Sequence, residues 1–143
     1  MKTLKTLLLS VGAVALLGAS GLYAQTKATA TIPFQFTVQN TTLPAGEYTM
    51  SASSATHDVM TIRNTETRKA IMVLAASAGS GYRGAQDKNV VVFHKIADRY
   101  FLAEVKTGAV CGRVSPSKLE RELASEGSGQ PWAAVIVPAL SAR

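Results

Sequence analysis

Downstream of Ala24, hydrophobic and polar positions alternate over much of the chain. Ala28, Ala30, Ile32, Phe34, Phe36 and Val38 fall on one parity, while Thr29, Thr31, Gln35, Thr37 and Gln39 fall on the other. A period of two is what a strand with one buried face produces, because successive side chains point to opposite faces. Pro33 lies on the polar parity and has no N–H to donate, which favours an edge position or a bulge. Leu43-Pro44-Ala45-Gly46 reads as a type I turn, with proline at the second position and glycine at the fourth. Tyr48, Met50 and Ala52 then resume the alternation against Glu47, Thr49 and Ser51, and Met60 and Ile62 share a face between Asp58 and Asn64.

The run Ala70-Ile71-Met72-Val73-Leu74-Ala75 is apolar on both parities, which predicts a central strand or one covered on both sides. Further strands are expected over Val90–Phe93, Tyr100–Lys106, Ala109–Val114 and Trp132–Val137. Turns fall at Ile96-Ala97-Asp98 and Thr107-Gly108, and a glycine-containing loop covers Ser77 to Asp87. Closely spaced turns favour antiparallel neighbours. One helix interrupts the pattern over about 116–126, with Ser115 as its cap, Pro116 in the first position and Gly127 ending it. Leu119 and Leu123, four apart, dock it on the sheet, and Glu120, Arg121 and Glu122 face solvent. The expected fold is all-β: a small antiparallel barrel or sandwich of about eight strands with one short helix. It forms a single β-rich domain, residues 25–143, preceded by a signal peptide.

That leader is residues 1–24. Lys2 and Lys5 precede a short apolar run, Leu7 to Leu17, and small residues lead to Ala24. A basic start, an apolar stretch and a small residue at the cut are the parts of a secretory signal peptide. Cleavage is expected between Ala24 and Gln25, delivering the chain to the periplasm or the extracellular medium. The apolar run is shorter than the roughly 20 residues of a spanning helix, although the absence of charge between Lys5 and Lys27 leaves a retained anchor as the alternative. After cleavage no integral membrane span is expected. An outer-membrane barrel fits poorly, since aromatics are 6% of the chain and the strands are short.

Composition narrows the function classes. With 47% hydrophobic and 17% charged residues, the chain is not intrinsically disordered. Its formal charge of +6 includes two lysines of the leader, and the remaining basic residues form no cluster longer than Arg68-Lys69. Nucleic-acid binders concentrate such residues on one face, so no nucleic-acid partner is expected. A weak attraction to anionic lipid or polysaccharide is the one functional consequence of the charge.

The chemistry-bearing residues form no obvious constellation. His57 and Asp58 are adjacent, so a strand would point them to opposite faces. His94 shares a parity with Val92 and lies near the turn holding Asp98, placing Asp98 or a tyrosine within reach across the hairpin. Asp98 and Glu104 share a parity but lie about 20 Å apart along a strand, too far for paired-carboxylate chemistry; turn formation and a solvated face account for them. The single cysteine, Cys111, reads as a small buried hydrophobe, or as the site of an intermolecular disulfide in an oxidising compartment. The loop from Ser77 to Gly84 matches no phosphate-binding pattern. No catalytic, metal-binding or cofactor-binding set is assigned.

Two stretches, taken together, carry a resemblance. One is Ile32-Pro33-Phe34-Gln35-Phe36 with Leu43-Pro44-Ala45-Gly46-Glu47-Tyr48. The other is Val91-Val92-Phe93-His94-Lys95 with Asp98-Arg99-Tyr100-Phe101-Leu102-Ala103-Glu104-Val105, followed by Lys118-Leu119-Glu120-Arg121-Glu122-Leu123-Ala124. They resemble a family of small exported bacterial proteins of unassigned function, in which Asp often stands where this chain has Gln35. The resemblance implies export and a β-rich fold, and no catalytic residue. The leading expectation is a non-enzymatic exported domain, a structural or protein-binding module of the cell envelope. The alternative is a carrier of an apolar small molecule, lipocalin-like in manner, with Phe34, Phe36, Tyr48, Met50 and Phe93 as candidate lining beside Met60 and Ile62. A hydrolase built on His94 or His57 is the third class.

Overall fold

The computed structural model describes residues 27–53, 58–76, 89–108, 110–127 and 133–142. The leader, the Ala24–Gln25 cleavage position, His57, the glycine-containing loop and Trp132 lie outside the described residues. These hold eleven strands: β1 (Lys27–Ile32), β2 (Phe36–Val38), β3 (Thr41–Leu43), β4 (Gly46–Ala52), β5 (Val59–Asn64), β6 (Ala70–Ala76), β7 (Val90–Ile96), β8 (Arg99–Lys106), β9 (Cys111–Val114), β10 (Ala133–Pro138) and β11 (Leu140–Ala142). One helix, α1 (Lys118–Glu126), lies between β9 and β10.

The strands join in the order β10-β7-β8-β9-β6-β5-β4-β1-β11, with β2 bonded to β8 and β3 to β2. Every pair is antiparallel except β2–β8, where Thr37 lies beside Phe101. Two strands change partner along their length. β6 pairs with β5 through Ala70–Leu74 and with β9 through Ala75 and Ala76. At the C-terminal end, β10 pairs with β7 and β11 with β1, with Ala139 alone between them. One short stretch therefore borders both ends of the strand order.

The all-β architecture with one short helix agrees with the alternation, but the strand count is eleven rather than eight. The single strand expected from Ala28 to Val38 breaks at Pro33–Gln35, where proline cannot continue a ladder. Its first half stays on β4, and its second half crosses to β8. β3 and β11 are three residues each, too short to carry a period. The apolar run of β6 is central in the hydrogen-bonded order, yet one face is open: Met72 is 76% and Leu74 67% exposed, while Val73 and Ala75 are buried. Lateral pairing on both edges does not require covering both faces.

The core is the inward parity of these strands, with Ile32, Phe36, Tyr48, Met50, Met60 and Ile62 at its centre. Leu102 and Val105 also reach it despite opposite parity. The reason is a bulge: Val92 faces Glu104 while Phe93 faces Leu102, so Ala103 is an extra residue on β8. Past the bulge, parity no longer relates Asp98 to Glu104. Glu104 is 4% exposed rather than on a solvated face.

Cys111 is exposed and free, not a buried hydrophobe. In β9 the inward positions are Gly112 and Val114. Glycine is needed at 112 because a Cβ there would lie 2.8 Å from the Ala75 Cβ. That close approach of β9 to β6 sets the parity that turns Cys111 outward.

The helix is also turned over relative to expectation. Its cap is Ser117, not Ser115, and the Ser117 hydroxyl accepts from the Glu120 N–H at 3.0 Å. Ser-x-x-Glu at 117–120 has the spacing of a capping box. Glu120 is 6% exposed and Leu119 37% exposed, so the carboxylate rather than that leucine faces the sheet. A buried carboxylate requires a partner, and β7 supplies one.

Candidate functional site

That partner is His94, whose Nδ1 lies 2.8 Å from the Glu120 Oε1. A carboxylate only accepts, so an ionised Glu120 selects the ring form with a proton on Nδ1. The expected contact to Asp98 or a tyrosine across the hairpin is replaced by this bond to the helix. Its evident task is docking: it joins α1 to the outer face of β7. Two positions along that face, Glu104 has its Oε1 3.4 Å from the Lys106 Nζ but in no hydrogen bond. Among the described residues no group of three or more His, Cys, Asp or Glu is placed to hold a metal ion. No helix among them is long and apolar enough to cross a membrane.

On the inner face, the candidate lining residues lie in one another's contact. The rings of Phe36 and Tyr48 meet edge to face at 5.1 Å, Phe36 and Phe93 at 5.3 Å, and Phe34 and Phe93 at 5.1 Å. Phe34 also stacks on Tyr100 at 3.9 Å. Edge-to-face contacts of this kind are favoured by the ring quadrupoles. Met50 is fully buried beside them, and the Tyr48 hydroxyl donates to the Pro44 carbonyl at 2.6 Å.

Polar groups collect instead at a surface groove of about 420 Å³, lined by Gln35, Thr37, Thr42, Asp98, Arg99 and Tyr100. Two hairpins build it. In the first, Thr37 and Thr42 stand directly opposite on β2 and β3, with their hydroxyls 3.3 Å apart. In the second, Ile96 pairs with Arg99, leaving Ala97 and Asp98 as the turn between β7 and β8. Each turn contains a non-glycine residue at positive φ: Gln39 and Ala97, both at 53°. Such conformations cost about 1–2 kcal/mol each and hold the adjoining side chains in a fixed direction. The parallel contact between β2 and β8 brings the two hairpins together.

Of the groove residues, the sequence marks Asp98 as a turn carboxylate and Gln35 as a position where the resembling proteins often have Asp. The available signals were the polar parity of the first strand and an Asp-Arg pair in a turn. Nothing local states that these two segments meet. Comparisons with protein-family models, with curated proteins and with solved structures find no match to this chain.

Proposed function

We propose that this chain is an exported, non-enzymatic β-domain that works through its surface, as a structural or protein-binding module of the bacterial envelope. Cleavage between Ala24 and Gln25 releases it to the periplasm or the medium, and the eleven-stranded sheet is rolled into a small barrel. The barrel reading is supported by the stretch from β10 to β11, which pairs with both ends of the strand order. The resemblance to small exported bacterial proteins and the form of the leader support export.

The observation that carries the binding reading is the groove between the two hairpins. It gathers the exposed side chains of Gln35, Thr42, Asp98 and Arg99 around the buried Thr37, where a partner reaches them without unfolding anything. His94 and Glu120, by contrast, are engaged in holding the helix. A photo-cross-linking residue at Gln35 or Asp98, in the native host, tests this. Covalent adducts with envelope neighbours are expected from those positions and not from Arg63, on the outer face of β5. Adducts from all three alike, or from none, would overturn the reading. The carrier alternative predicts an added mass of small-molecule size on native mass spectrometry of the exported protein, lost on denaturation.

A further inference from the structure

We infer that the groove between the β2–β3 and β7–β8 hairpins is a binding site for a neutral saccharide, such as a segment of envelope polysaccharide. The inference rests on the surface-binding reading and gives it a ligand class.

The argument begins with what the lining groups lack. Among the described residues, the Asp98 carboxylate and the Arg99 guanidinium have no ion-pair or hydrogen-bond partner, and the Gln35 amide has none either. Asp98 can only accept hydrogen bonds and Arg99 can only donate them, whereas Gln35, Thr37 and Thr42 do both. Of the lining residues two are charged, Asp98 and Arg99, and their signs are opposite, so the lining itself carries no formal net charge. What satisfies this inventory is a ligand whose own groups both donate and accept at close spacing. Adjacent sugar hydroxyls are such groups, and a carboxylate or guanidinium can take two of them at once through its forked geometry.

Shape agrees with the chemistry. About 420 Å³ lies within the range of small-ligand sites, and the groove opens to solvent, so a longer chain can pass through it. Thr37 and Thr42 contribute hydroxyls from paired strands and Asp98 a carboxylate from the β7–β8 turn, each placed by backbone geometry. The half-buried Tyr100 ring is held flat against Phe34, and the Lys95 Nζ stands over it 5.6 Å from its centroid, which places a further hydrogen-bond donor beside the groove. An apolar guest would leave these polar groups unsolvated and unpaired, which opposes its binding.

The test is a ¹⁵N NMR titration of the protein with cellobiose, maltose and N,N′-diacetylchitobiose, with glycine as a zwitterionic control. Saturable shifts confined to the amides around Thr37, Thr42 and Arg99 are expected from at least one saccharide. Arg99→Ala and Gln35→Ala are each expected to weaken binding about tenfold or more, since each removes charged or amide hydrogen bonds. Both side chains are exposed, so an unchanged spectrum elsewhere will show that the fold is kept. No saturable shift with any of the three sugars overturns the inference. So does a response to glycine alone, or binding that survives both substitutions. Groove cross-links to envelope proteins without saccharide shifts would overturn the ligand class and leave the surface-binding reading standing.

Discussion

The two faces of the β7–β8 hairpin are both buried, by different means. Inward, Phe93, Leu102 and Val105 join the aromatic cluster of Phe34 and Phe36. Outward, Phe101, Glu104 and His94 are shielded, and the last is tied to Glu120 of the helix. Inner contacts are non-directional: any side chain of similar volume and shape supplies most of the free energy. The outer contact between His94 and Glu120 is directional, and deleting one partner strands the other in a poorly solvated place. One hairpin thus carries a face held by apolar volume alone, and a face that adds a polar contact to the buried Phe101.

Substitutions break this comparison in descending order of effect. Phe93→Ala is expected to be the most costly, at about 3–5 kcal/mol, because it empties the point where two other rings converge. Urea denaturation measures it, and Phe93→Leu should recover a large part of the loss. If the two variants are equally unstable, the inner face depends on ring geometry as well as on volume. Glu120→Ala is expected to cost less, about 1–3 kcal/mol, and to act locally. Hydrogen exchange should rise across α1 while the β4–β5 amides keep their protection; uniform loss across the sheet would mean that the helix is integral to the core. Cys111→Ser lies on neither buried face and should change stability by less than about 0.5 kcal/mol. The same variant on a non-reducing gel reports on the disulfide: a dimer band in the parent that vanishes in Cys111→Ser establishes the exposed thiol as an intermolecular link, and monomers in both exclude it.

Alternation along the chain was enough to locate β1, β4, β5 and β7 and the inward parity of Ile32, Tyr48, Met50, Met60 and Ile62. It also located one helix near 116–126. These features are local, because a strand side chain's face follows from its position modulo two and a helix end from its cap and its glycine. The apolar run of β6 misled in one respect, since Met72 and Leu74 resemble core residues in sequence and stand in solvent. Apolar identity records what a position can bury, and only packing records what covers it.

Tertiary structure decided the rest. The extra residue at Ala103 shifts the parity of β8, so Leu102 and Val105 both point inward and Glu104 is buried. Whether Glu120 or Leu119 faces the sheet depended on His94 being within 2.8 Å, and those two residues are distant in sequence. Gly112 turned Cys111 outward because β9 presses on Ala75 of a strand much earlier in the chain. The groove depends on a parallel contact between Thr37 and Phe101, which no turn or period announces. The first is a bulge within one hairpin and the others are meetings of distant segments, and periodicity, being a property of neighbours, carries no information about which segments meet.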